Sequence, residues 1–255
     1  MKRAVRPSPG APLTACELGI LSQNGEDGVL QALLEQIGSQ TRYFVEFGAG
    51  RGEQSTCALL ANCLRWSGLF IESDAEAYSA LESKYRPNSR VATRNASVTP
   101  GNVEAIFTAA GVPATFDVMS IDIDGNDYWV WQAIEAFAAR VVVVEYNANL
   151  ALEASVVMPT DDRHTWDETD YFGASLGALR ALGAEKGYEL VHTDSTGVNA
   201  FFVRQTEARS VVPRDGVPLH GPNYLGSGLR HPRDPTGRPF VDLDTGQLVQ
   251  APRQP

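Results

Sequence analysis

Val45-Glu46-Phe47-Gly48-Ala49-Gly50-Arg51-Gly52 is the stretch that decides how this chain folds. Before it, Tyr43 to Phe47 reads as a short apolar strand, and after it Gln54 to Leu64 reads as a helix. Glycines between a strand and a helix let the backbone turn sharply and let a ligand approach without a Cβ in the way. The following helix N-terminus offers unpaired N–H groups to a polar or anionic ligand. In an open α/β sheet such a loop lies at the carboxyl ends of the strands, where ligands bind. A dinucleotide fingerprint requires G-x-G-x-x-G, but Glu53 stands where the third glycine would fall. What stands here is E-x-G-x-G-x-G, from Glu46 to Gly52. The bland alternative is a glycine-rich turn that binds nothing.

Outward from this loop, strands and helices alternate. The helix before it runs from about Ser22–Asp27 to Gly38. After it come strands at Leu69–Glu72, Arg90–Asn95, Phe116–Asp122 and Val141–Tyr146. Helices at Ala75–Tyr85, Val103–Ala110 and Tyr128–Phe137 separate them. A long connection leads to a helix at Leu176–Lys186 and two last strands, Tyr188–Thr193 and Asn199–Arg204, joined by a turn at Asp194–Gly197. The pattern predicts an α/β fold: a Rossmann-like, seven-stranded, mostly parallel sheet covered on both faces, closed by a C-terminal antiparallel hairpin. Residues 1–15 are proline-rich and read as a flexible arm, residues 16–205 as the domain, and residues 206–255 as an irregular extension. That extension either wraps the domain or meets a second copy, so a homodimer is an open expectation.

The chain has 255 residues, 43% of them hydrophobic, which suffices for a core without disulfides. Its three cysteines lack metal-ligand spacing; Cys57 and Cys63 read as buried small hydrophobes, which suits a reducing compartment. A formal net charge of -10 argues against a phosphate-rich partner, because nucleic-acid binding needs a basic face. Prolines stand where the apolar core of a signal peptide would fall, and no apolar run is long enough to cross a bilayer. The expectation is a cytoplasmic protein with a small-molecule partner, no nucleic acid and no membrane.

The E-x-G-x-G-x-G loop resembles the first motif of class I S-adenosylmethionine-dependent methyltransferases at every defined position. The resemblance implies that Glu46, Gly48, Gly50 and Gly52 surround the amino acid end of S-adenosylmethionine. Glu72 ends the next strand, 20 residues beyond Gly52. A carboxylate there can accept both ribose hydroxyls, as in dinucleotide folds. Asn95-Ala96-Ser97 follows the third strand; the resemblance puts Asn95 and Ala96 beside the adenine, while a simple turn explains them equally well. Ser22-Gln23-Asn24-Gly25-Glu26-Asp27, Phe44 to Gly48 and Trp66 to Glu72 look like the FkbM-type branch, which includes O-methyltransferases of bacterial secondary metabolites and saccharides. This likeness spans about residues 20–205 and is specific in the first half.

Methyl transfer from a sulfonium needs the acceptor oriented and its proton removed or masked, by a general base or by a divalent cation. The fourth strand ends in Ile121-Asp122-Ile123-Asp124-Gly125-Asn126-Asp127 and the fifth in Glu145-Tyr146-Asn147. Alternation puts Asp122 and Asp124 on one side, and adjacent strand ends bring Asp122, Asp124, Glu145 and Asn147 together. Oxygen ligands of this kind suit Mg²⁺, Mn²⁺ or Ca²⁺. The set is similar to that of metal-dependent O-methyltransferases, although Glu-Tyr-Asn stands where those have adjacent acid and amide. The competing reading is an Asp-rich turn that caps the next helix. Asp122 also borders the cofactor in this scheme, and it is a catalytic candidate together with His164, a loop histidine suited to act as a general base. Trp166 and Tyr171 on the same loop either wall the acceptor pocket or pin the loop. Asn199 reads as structural, and His220, Arg230, His231 and Arg233 carry no assignment. N- or C-methylation, and a cofactor-binding protein without catalysis, compete with O-methylation. A nicotinamide oxidoreductase is disfavoured by the absent third glycine.

Overall fold

The computed structural model describes residues 12–208, 211, 216–224 and 229–254. In chain order the elements are α1 (Glu26–Ile37), β1 (Tyr43–Phe47), α2 (Ala58–Asn62), β2 (Ser67–Glu72), α3 (Ala75–Tyr85) and β3 (Val91–Asn95). There follow α4 (Val103–Ala110), β4 (Thr115–Ile121), α5 (Asp127–Ala133), β5 (Ala138–Glu145), β6 (Val156–Val157) and α6 (Leu176–Glu185). The chain continues through β7 (Tyr188–Thr193), β8 (Asn199–Arg204), α7 (Gln205–Ala208), β9 (Phe240–Asp242) and β10 (Leu248–Val249).

Seven strands form one sheet in the order β3-β2-β1-β4-β5-β8-β7. Strands β1 to β5 pair in parallel, and β8 alone runs antiparallel to both its neighbours, β5 and β7. This is the Rossmann-like α/β arrangement the sequence predicts, a mostly parallel seven-stranded sheet with a closing antiparallel hairpin. The order reverses between β1 and β4, so the connections after these two strands diverge and leave a crevice at their carboxyl ends. The site lies there.

The apolar run Val141–Val144 is fully buried because the sheet is covered on both faces. Alternation divides it. Val142 and Val144 join Phe107, Trp131 and Leu179 on one face, and Val141 and Val143 join Leu33, Phe70 and Tyr85 on the other. No helix among the described residues is long and apolar enough to cross a membrane.

Several boundaries differ from the sequence reading. Strand β4 stops at Ile121, which leaves Asp122 just beyond it. Helix α2 occupies only Ala58–Asn62, because the Glu46 carboxylate accepts hydrogen bonds from Ser55 Oγ (2.9 Å), Thr56 N (3.0 Å) and Cys57 N (2.7 Å). Those bonds hold the preceding residues as a turn. Cys57 is buried as expected, whereas Cys63 sits past the end of α2 and is exposed. Residues 1–11 of the expected arm lie outside the described residues, but Leu13–Cys16 forms a 3₁₀ turn whose Leu13 and Cys16 are buried. The C-terminal extension, expected to be irregular, carries β9 and β10, which join β6 in a three-stranded antiparallel sheet. Strands of two and three residues leave no periodicity to read. A third apolar cluster of Leu150, Met158, Tyr171 and Phe240 ties this extension to the connection after β5.

Candidate active site

The glycine loop is fixed from both sides. Gly48 has φ +67°, and a Cβ there would lie 1.7 Å from the Asp122 carbonyl oxygen, so the loop packs directly on the end of β4. Gly50 has φ +53° with nothing within 4 Å of where its Cβ would project. Its N–H donates to Glu72 Oε2 (2.7 Å), while Glu72 Oε1 accepts from Asp74 N (2.8 Å). Loop and acid thus meet at the mouth of one cavity. Glu46 stands beneath the loop, buried, and burial pushes its pKa up to about 7 against the three donors that favour its charge. Asn95 donates through Nδ2 to the Glu72 and Ser73 carbonyls (2.8 and 3.1 Å), a tie between strand ends, while Ala96 and Ser97 face the cavity.

That cavity has a volume of about 730 Å³. It is lined by Gly50, Glu72 and Ala96, by Asp122 and Glu145, and by Trp166 and His231. A second, of about 680 Å³, adjoins it across Gly48, Gly50 and Asp122 and is bordered by Glu46, Gln54 and Thr56. Gln23 and Asn24 line both. Sequence reasoning treated them as a helix start, yet the chain turns back there because Asp27 Oδ2 accepts from Ile20 N (2.8 Å), Leu21 N (2.6 Å) and Ser22 N (2.9 Å). Glu26 accepts from Asn24 N (2.7 Å) and from Asn199 Nδ2 (2.8 Å), so the expected structural use of Asn199 is what the molecule shows.

Asp122, Asp124 and Glu145 each present a carboxylate oxygen within 4.8 Å of the others. Burial, then the charges of Asp124 and Asp127, raises the Asp122 pKa well above the ordinary carboxylate range. Burial and then Asp122 do the same to Glu145. Asp124 rises to about 6, through desolvation and the nearby Asp127 and Glu72. Glu145 Oε2 is buried and accepts no hydrogen bond. An orphaned oxygen among mutually repelling acids is a donor set that a hard divalent cation fits.

Two neighbours divide the competing readings. Asp127 organises the turn, accepting from Ile123 N (2.8 Å) on Oδ1 and from Gly125 N (2.9 Å) on Oδ2. The Asp-rich-turn reading therefore fits Asp127, and the cluster reading fits Asp122 and Asp124. Asn147 is the correction. It is fully buried and does not line the cavity: Nδ2 donates to the Asp170 and Phe172 carbonyls (both 2.9 Å), and Oδ1 accepts from Asn149 N (3.1 Å) and Nδ2 (3.0 Å). Its amide is saturated by structural bonds. No oxygen is left for a cation.

His164 lines the cavity, with Nε2 buried and unpaired. Burial, and then the charge of Arg238, lowers its pKa, so the ring is neutral at pH 7. Trp166 lines the cavity and donates Nε1–H to the Thr169 carbonyl (2.8 Å). Tyr171 is an anchor instead, packed on Phe240 at 5.1 Å between ring centroids. The extension supplies lining residues that sequence reasoning left unassigned: Tyr224, Leu229, Arg230 and His231. Nothing local in the sequence marks them, because only the fold-back of the extension brings them to the cavity. His220 lies elsewhere, with Nδ1 3.0 Å from Thr193 Oγ1.

No protein-family model and no curated protein matches this chain. Several solved structures are similar to it at low identity. The N-terminal domain of EvdMO1 with SAH bound is 18% identical, with a TM-score of 0.47 over 72% of this chain and 81% of that one. A putative caffeoyl-CoA O-methyltransferase from Staphylococcus aureus is 12% identical, with a TM-score of 0.49 over 74% and 86%. The CurJ carbon methyltransferase is 12% identical, with a TM-score of 0.44 over 75% and 53%.

Proposed function

We propose that this chain is an S-adenosylmethionine-dependent methyltransferase that methylates a hydroxyl of a small molecule, assisted by a divalent cation. One observation carries the reading: a continuous cavity joins the open face of Gly50 and the Glu72 carboxylate to the Asp122–Asp124–Glu145 cluster. The FkbM-type resemblance of the first half of the chain supports the same acceptor chemistry.

When bound, the sulfonium cofactor would supply an activated methyl group for an acceptor oxygen. Gly50 leaves room for it, Glu72 would accept its ribose hydroxyls, and Ala96 and Ser97 would border the base. Asp122, Asp124 and Glu145 would hold a cation that would lower the pKa of an acceptor hydroxyl. His164 lines the cavity with a neutral ring, which suits it to take up the acceptor's proton. Glu46 keeps the loop in shape through its three accepted bonds.

A second reading has one observation in its favour. Three crowded carboxylates also suit a cationic amine, methylated on nitrogen without metal.

Calorimetry with S-adenosylhomocysteine, followed by turnover of acceptor pools with and without EDTA, tests both. Absence of binding removes the methyltransferase reading. Full turnover in excess chelator removes the cation and leaves the amine.

A further inference from the structure

The cavity has two unlike sets of lining residues. One is backbone turns and Glu72, which present polar groups. The other is rings from two distant segments: Trp166 and Phe172 from the connection after β5, and Tyr224 and His231 from the C-terminal extension. His231 stands at the centre of this set. Its ring centroid lies 4.2 Å from that of Tyr224, 4.9 Å from Trp166 and 5.6 Å from Phe172. Trp166 and Phe172 meet it edge to face, and desolvation lowers its pKa, so it is one more flat, neutral surface.

The ring wall is held in place from below. Asp170 is buried, donates its N–H to the Pro232 carbonyl (2.9 Å), and accepts from Asp234 N on Oδ1 (2.9 Å). Arg253 Nε forms an ion pair with Asp170 Oδ2 at 3.1 Å. Tyr224 Oη accepts from Asn149 Nδ2 (3.2 Å), which is itself bonded to Asn147. Bonds on both sides of His231 therefore tie the extension to the core. The extension is a built wall of the cavity.

We propose that the C-terminal extension is the acceptor-binding half of the site and that His231 is the specificity-determining residue, against which a neutral, ring-shaped acceptor lies with its hydroxyls turned to Asp122, Asp124 and Glu145. This rests on the methyl-transfer reading above. Aromatic faces attract the π face of an aromatic ring and the C–H face of a saturated one, so a phenolic ring and a pyranose share the chemistry that this wall recognises. An acyclic diol offers the acids the same hydroxyls but leaves the rings uncovered.

Ligand-observed NMR titrations of the full chain, with S-adenosylhomocysteine and Mg²⁺ present, test it with three probes: catechol, methyl β-D-glucopyranoside and 1,2-propanediol. At least one ring probe binds wild type more tightly than the diol, and which one binds separates phenolic from saccharide acceptors. His231→Ala weakens that binding by about tenfold or more, His231→Phe retains it, and calorimetric affinity for S-adenosylhomocysteine changes less than about twofold in both. Trp166→Leu weakens the same probe from the other segment and stands in for His231→Ala should that variant not fold. Equal binding of diol and rings, no binding of either ring, or unchanged ring binding in His231→Ala and Trp166→Leu overturns the proposal while cofactor binding persists. Failure of wild type to bind S-adenosylhomocysteine overturns the methyl-transfer reading itself, and this proposal with it.

Discussion

Gly50 donates its backbone N–H to Glu72 Oε2 at 2.7 Å, so the glycine loop and the acid at the tip of β2 form one hydrogen-bonded unit. The acid holds the loop through Oε2, accepts from Asp74 N on Oε1, and lines the cavity. Replacing Glu72 with Ala removes the proposed ribose acceptor and frees the loop together. The expected result is a loss of more than tenfold in affinity for S-adenosylhomocysteine, about 1.4 kcal/mol, read by calorimetry. Unchanged affinity refutes the ribose assignment.

Gly48→Ala tests the packing of the loop on β4. An added methyl would stand 1.7 Å from the Asp122 carbonyl oxygen in a left-handed backbone conformation, and neither backbone can give way cheaply. Denaturant unfolding is expected to show a loss of about 2 kcal/mol or more. Gly50→Ala is the control, since its Cβ meets nothing within 4 Å. It pays the backbone strain of its positive φ without the clash, so it unfolds at a higher denaturant concentration than Gly48→Ala, and its defect shows in cofactor binding.

The parts of the site legible in the sequence are those set by local pattern. The loop, Glu72 and the acids after β4 follow directly from a strand end, a turn and a two-residue alternation. Glu145 follows because β5 pairs with β4 in parallel register, Ile121 opposite Val144. The alternation that groups Asn147 with Glu145 stops at the end of the strand, where the chain bends and Asn147 turns inward to Asp170 and Phe172. His231 carries no assignment from sequence and Tyr224 no local signal, because their placement depends on long-range ties such as Asp170 to Asp234, not on a local period. The same holds for β9, which pairs with β6, and for β10, which pairs with β9.

Glu46 carries a pH dependence whose sign is fixed by the direction of its shift. Its pKa in the fold is about 7, against an ordinary value of 4.5, so the folded state holds the proton more tightly than the unfolded one. Its contribution is fully present below about pH 4.5, declines as pH rises, and is lost above about pH 7. The whole effect is bounded at about 3 kcal/mol, taking roughly 1.36 kcal/mol per pH unit. Melting curves from pH 4.5 to 8 are expected to show a downward slope that is shallower in Glu46→Gln. That variant is less stable throughout, because an amide cannot accept from Ser55, Thr56 and Cys57 together. An identical slope in both proteins contradicts the shift.

Asp122 and Asn147 separate cation ligand from structural tie. Asp122→Ala removes one of three mutually close carboxylates and leaves the glycine loop's contact with the Asp122 carbonyl in place. Turnover and Mn²⁺ binding are expected to fall to background, while affinity for S-adenosylhomocysteine stays within about twofold. Asn147→Ala acts in the opposite sense. It leaves the Asp170 and Phe172 carbonyls buried without their donor and Asn149 without its acceptor, a loss of about 2–4 kcal/mol from several unmet bonds. Mn²⁺ affinity per folded molecule should not change. Asn147→Asp sharpens the contrast: a ligand position would gain affinity from the added charge, whereas a carboxylate facing two buried carbonyls can only destabilise. Tighter Mn²⁺ binding by Asn147→Asp, measured by electron paramagnetic resonance alongside a melting curve, would restore Asn147 to the ligand set and show that the chain after β5 rearranges when the cation binds.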